Sequence, residues 1–107
     1  MLKILHISSE CYPVAKAGGM GDVVGALPSY SQRAGMEASV IIPKYDLKWF
    51  RENQFSKEFE SSYWVDGNEQ KFSILKAKGN PLGYPFYCVE MPNLFDRPSI
   101  YLDTDGE

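Results

Sequence analysis

The apolar positions along the chain follow two periods. Lys3-Ile4-Leu5-His6-Ile7 and Ala38-Ser39-Val40-Ile41-Ile42-Pro43 are short, nearly continuous apolar runs rich in strand formers, and the first has the pattern of a strand buried on both faces. Between them Met20, Val23, Val24, Leu27, Tyr30 and Ala34 recur at three- and four-residue steps, a helical stripe that ends at Gly35. Asp22 falls in the first turn of that helix. Pro28 deletes one backbone hydrogen bond within it, which predicts a kink or a division near Leu27. Strand, helix and strand in about forty residues make a βαβ unit, with parallel strands and a right-handed crossover.

The second half is patterned differently. Trp49, Phe50 and Phe55 lie among the charged residues of the stretch 48–60, which fits either one short surface helix or an ordered loop packed by its aromatics. Tyr63-Trp64-Val65, the turn-like Asp66-Gly67-Asn68-Glu69 and the alternating Phe72 and Ile74 predict a hairpin. Phe86 to Met91 predicts a further strand after the turn signals at Gly79, Asn80, Pro81 and Gly83. The fold class expected is therefore α/β, a parallel sheet with an antiparallel hairpin in its second half.

Composition limits what such a chain does. With 107 residues, 44% hydrophobic and 23% charged, it is expected to build one core and is too short for two domains with a cleft between them. A net charge of -3 argues against bulk electrostatic binding of nucleic acid, so any anion site must be local. Cys11 and Cys88 form no metal-ligand spacing, and no disulfide framework or zinc site is expected. No apolar run approaches membrane-spanning length, and the opening run Ile4 to Ile7, broken by His6 and soon followed by Glu10, is not expected to act as a secretory leader. These features predict a cytoplasmic protein with reduced thiols.

The chemistry concentrates in Lys16-Ala17-Gly18-Gly19-Met20-Gly21-Asp22, between the first strand and its helix. In an open α/β sheet that is the carboxyl edge of a strand, where ligands bind. Adjacent glycines permit unusual backbone angles and let a ligand approach without Cβ interference, while N–H groups at a helix start favour negative charge. Lys16 adds a cation suited to a phosphate or diphosphate. The spacing excludes two standard loops. A dinucleotide fingerprint needs glycine where Val24 stands, and a Walker A loop needs lysine after its last glycine. The blander alternative is a tight strand-to-helix turn with a solvated lysine, and the spacing by itself leaves both open.

Ser8-Ser9-Glu10, Pro13 and the run from Lys16 to Pro28 together resemble the amino-terminal signature of bacterial glycogen synthases and plant starch synthases, K-x-G-G-L-x-D-V, with Met20 in place of the usual leucine. The resemblance extends to Val40-Ile41-Ile42-Pro43-Lys44-Tyr45 and more loosely to Leu94-Phe95-Asp96-Arg97-Pro98 and Tyr101. It implies a retaining GT-B glycosyltransferase that passes glucose from a nucleotide sugar, usually ADP-glucose, to the non-reducing end of an α-1,4-glucan. By the same resemblance, residues 1–107 are part of the amino-terminal Rossmann-like domain. Lys16, Gly18 and Gly19 are donor-binding, Asp22 orients donor or acceptor, and Tyr101 helps wall the site. The partners implied are the nucleotide sugar, the glucan and a carboxyl-terminal nucleotide-binding domain that this chain does not contain. No cofactor or metal is implied, and the chain is expected to be inactive alone.

Other residues are weaker candidates. His6 lies near the carboxyl end of the first strand, where a buried structural histidine is the commoner role. Glu10 either faces a cleft or caps nearby backbone N–H groups. Asp103 and Asp105 have the spacing of a short acidic metal motif but sit in a polar tail. Tyr63, Trp64, Phe86 and Tyr87 suit sugar stacking, although strand aromatics more often pack in a core or across strands. Two alternative functions remain: a non-catalytic glucan- or nucleotide-binding module, and another nucleotide-sugar-dependent glycosyltransferase.

Overall fold

A computed structural model describes residues 2–92 together with Leu94 and Phe95. Among them are five strands and two helices: β1 (Lys3–Ile7), α1 (Gly19–Arg33), β2 (Glu37–Pro43), α2 (Lys48–Glu52), β3 (Phe55–Val65), β4 (Asn68–Ala77) and β5 (Phe86–Glu90). They form one mixed sheet in the order β1-β2-β5-β4-β3. The βαβ unit is present: β1 pairs parallel with β2, His6 opposite Val40, and β2 pairs parallel with β5, Ile42 opposite Cys88. β5, β4 and β3 are antiparallel neighbours, so the sheet is parallel only in its first half.

Local chemistry accounts for the boundaries. Asp66 and Gly67 both take positive φ, 50° and 78°, the left-handed pair that a two-residue hairpin needs. The hairpin starts earlier than its aromatics alone suggest, because β3 already begins at Phe55. The stretch 48–60 contains both a helix and a strand. α2 occupies its first turn and a half, and Trp49, Phe50 and Phe55 pack on one another with centroids 5.8 to 6.1 Å apart.

The core lies on one face of the sheet. Val40, Ile42, Leu75, Ala77, Phe86 and Cys88 from the strands meet Cys11, Val14 and Ala15 from the loop after β1, with Tyr45, Phe50 and Tyr84 closing the cluster. The other face is bare among the described residues, and Leu5, Ile7, Ile41, Val89, Met91 and Phe95 line an open apolar depression there. This corrects the expectation of a first strand buried on both faces. Leu5 and Ile7 are 51% and 80% exposed, because β1 is an edge strand and the core gathers on the opposite side.

Of the kink or division expected at Pro28, helix α1 shows no division. It runs unbroken from Gly19 to Arg33 through a fully buried Pro28, so the proline does not divide it, and packing offsets the one missing hydrogen bond. Of its apolar stripe only Val24 packs against the core. Met20, Val23, Leu27 and Tyr30 are exposed, while Gly21, Val24, Gly25 and Pro28, also at helical spacing, turn inward. Small residues let the helix sit close to the loop beneath it, and the larger apolar side chains face outward.

Candidate functional site

The site is the loop 8–18 together with the start of α1. Several bonds fix the loop. The Ser8 N–H donates to the Ile41 carbonyl (3.2 Å), and the Tyr45 hydroxyl donates to the Ser9 carbonyl (2.7 Å). Cys11 and Ala15 exchange backbone bonds of 2.8 and 2.9 Å, closing a narrow turn. The turn is pinned to the helix where the Tyr12 N–H donates to the Gly21 carbonyl (2.9 Å) and the Tyr84 hydroxyl donates to the Gly25 carbonyl (3.0 Å).

Glycine makes that contact possible. A Cβ on Gly25 would lie 2.4 Å from the Tyr12 carbonyl oxygen, and one on Gly21 would lie 2.9 Å from Glu10 Oε1. The motif alone gives Gly21 and Gly25 no packing role, although glycines four residues apart inside an apolar helix are a signal of close approach. Gly18 and Gly19 are different. A Cβ on either meets no atom within 4 Å, neither takes a left-handed angle, and Gly18 is extended at φ −160°. The pair is therefore not an unusual-angle turn, which removes the conformational reason for glycine there and leaves the steric one, open approach to the backbone.

Glu10 sits under this loop, 2% exposed. Its Oε1 accepts N–H bonds from Gly21 (2.8 Å), Gly18 (3.1 Å) and Ala17 (3.4 Å). Gly18, the residue before α1, has no side chain to cap the helix, so Glu10 supplies from a distance the acceptor that serine or aspartate gives locally. Of the N–H groups at the helix start that of Gly21 is thus already engaged by a carboxylate, as are those of Ala17 and Gly18 just before it.

The local cation lies above them. Lys16 Nζ is 2.9 Å from Asp22 Oδ2, both side chains about half exposed, and 5.8 Å from the Tyr12 ring centroid. The hydrogen bond to Asp22, reinforced by its charge, holds the Lys16 ammonium above its usual range, so the side chain stays protonated at neutral pH. Lys16, Gly18, Gly19 and Asp22 are brought together on one open edge, with Glu10 inside it. His6 remains in β1, its Nε2 buried with no hydrogen-bond partner among the described residues. Tyr101, Asp96, Asp103 and Asp105 lie outside the described residues.

The remaining candidates have structural surroundings. Phe86 is in the core, and Phe59 and Tyr63 pack on Phe72. Trp64 is the exception, 69% exposed near the hairpin turn. Burial pushes the Cys88 thiol up to about 12 and raises that of Cys11, and both cysteines are buried and unpaired. Neither is poised as a nucleophile. Among the described residues no group of three or more His, Cys, Asp or Glu is arranged to hold a metal, and no helix is long and apolar enough to cross a membrane.

Comparison with known proteins decides the family. The model of the starch synthase catalytic domain matches residues 3–107. The chain belongs to that family. It is 44% identical over 100 residues to a glycogen synthase of Flavobacterium johnsoniae, covering 94% of this chain and 21% of the relative. A glycogen synthase of Roseobacter denitrificans is 37% identical over 107 residues, again 21% of its length. Among solved structures, the catalytic domain of starch synthase IV from Arabidopsis thaliana, bound to ADP and acarbose, superposes with a TM-score of 0.77 at 32% identity, over 97% of this chain and 22% of that one. The chain thus spans about a fifth of the length of its starch and glycogen synthase relatives.

Proposed function

We propose that residues 1–107 form the donor-side part of a cytoplasmic glucosyltransferase that moves glucose from ADP-glucose to the non-reducing end of an α-1,4-glucan. Family membership supports the reaction class. The observation that carries the site is the Gly18-Gly19 pair, which neither backbone angle nor packing requires and which opens beside the Lys16 ammonium. A ligand phosphate or sugar can reach this backbone without meeting a Cβ, and Lys16 supplies the neighbouring charge. Asp22 holds the lysine in place until the ligand shares it, and orients donor or acceptor hydroxyls from the first turn of α1.

The departure of a nucleoside diphosphate needs several preorganised cations around the developing charge. Lys16 is one, and the rest must come from the carboxyl-terminal domain of an enzyme of full family length. The isolated chain is therefore expected to be silent. Incubated with ADP-glucose and a glucan primer it should incorporate no labelled glucose, while an enzyme of full family length carrying residues 1–107 should elongate the primer. Elongation by the isolated chain would overturn this division of labour. Binding without transfer at full length would favour a glucan- or nucleotide-binding module instead.

A further inference from the structure

We infer that Glu10 is a positioning residue for the donor side of the reaction, and that it acts through the backbone of residues 17–21. The inference rests on the glucosyltransferase reading above. Glu10 is one of two polar or charged side chains buried among the described residues, Ser73 being the other, and burying a carboxylate is unfavourable unless it is hydrogen-bonded. Three hydrogen bonds to it come from one segment. A single oxygen gathers the N–H groups of Ala17, Gly18 and Gly21, so the chain wraps around that atom and its opposite side, Lys16 with the Cα atoms of Gly18 and Gly19, turns outward.

Two further contacts limit alternative arrangements. Gly21 is buried, and any side chain there would push on Glu10 Oε1. The Glu10 N–H is itself held by Ser8 Oγ at 3.2 Å, which ties the carboxylate to the end of β1. The consequence for the ligand is specific. The N–H groups of Ala17, Gly18 and Gly21 face inward to the carboxylate, so the donor meets Lys16 and the bare glycine backbone rather than a helix start that points all its N–H groups at phosphate. Glu10 neither touches the substrate nor replaces the cation; it sets where both can meet.

The test is Glu10→Gln in an enzyme of full family length that carries this segment. An amide keeps one acceptor oxygen but loses the charge-assisted character of the three bonds, each stronger than a neutral one. The expected result is a fall of about tenfold or more in kcat/KM for ADP-glucose, with KM for the glucan unchanged, together with faster amide exchange in the peptide spanning 15–22. A purely structural role would lower the folded fraction, cutting kcat per mass of protein with neither KM moved and no local change in exchange. That pattern, or a donor kcat/KM within about twofold of the parent, would overturn the inference. Should the glutamine variant fail to fold, Gly21→Ala displaces the carboxylate from the helix side and is read by the same two measurements. A parent that transfers no glucose contradicts the glucosyltransferase reading itself, and Lys16→Ala separates the two failures. If Lys16→Ala abolishes transfer and Glu10→Gln does not alter it, only the positioning role is lost.

Discussion

Replacing Lys16 by alanine in an enzyme of full family length that carries this segment lowers glucosyl transfer from ADP-glucose by about 10²- to 10³-fold, the usual loss when one preorganised electrostatic partner of a transition state is removed. The thermal midpoint should not move, because the side chain is about half exposed and paired only at the surface with Asp22. The two effects separate a ligand role from a structural one. Lys16→Gln, which keeps most of the stem but not the charge, should lose nearly as much activity. Unchanged transfer with either variant would remove Lys16 from the site.

The largest expected effect on stability is at a position with no charge at all. Alanine is ordinarily better than glycine inside a helix by about 1 kcal/mol, so Gly25→Ala would be stabilising if space decided nothing. Space does decide, because the added Cβ would lie 2.4 Å from the Tyr12 carbonyl oxygen, a backbone atom that no side-chain rotation can move aside. The helix must move off the 8–18 loop, disturbing the Tyr84 bond to the Gly25 carbonyl as well. A net loss of about 3 kcal/mol is expected, the upper part of the overpacking range, read as a lower urea midpoint at unchanged slope. Gly18→Ala is the control. Its Cβ meets nothing and its backbone is extended, so stability should stay within about 0.5 kcal/mol, yet donor use should fall because the methyl group stands where the ligand approaches. A Gly18→Ala variant with full activity, or a Gly25→Ala variant as stable as the parent, would contradict this division between ligand glycines and packing glycines.

That division also marks how far the sequence can be read. The βαβ unit, the Asp66-Gly67 hairpin and the placing of the Lys16–Asp22 loop at a strand's carboxyl edge follow from period, turn chemistry and motif spacing, all local signals. The direction of α1 does not. Its apolar stripe has the right period for a packed face, but Met20, Val23, Leu27 and Tyr30 are exposed and only Val24 turns inward, beside Pro28 and beside Gly21 and Gly25, whose contribution is the absence of a side chain. Hydropathy weighs side chains and so passes over that face. β1 misleads for a related reason: Leu5 and Ile7 are apolar, and the face they belong to is left bare by the described residues. Glu10 is readable as a loop carboxylate that caps backbone N–H groups, and it does so, but nothing in the sequence says that one oxygen gathers them from seven to eleven positions away. Tyr12 joins the site through its backbone N–H, for which residue type carries no signal, and Tyr84 through a hydroxyl whose partner, the Gly25 carbonyl, lies 59 positions away.

The central claim is that the open edge formed by Lys16, Gly18 and Gly19 is where the donor lies. A crystal structure of an enzyme of full family length carrying this segment, with ADP-glucose bound, addresses it most directly. The expected complex has Lys16 Nζ within about 3.2 Å of a phosphate or glucosyl oxygen and donor atoms in van der Waals contact with the Cα atoms of Gly18 and Gly19. A complex in which the donor binds elsewhere, with Lys16 still paired only to Asp22 and the glycine pair facing solvent, would contradict it.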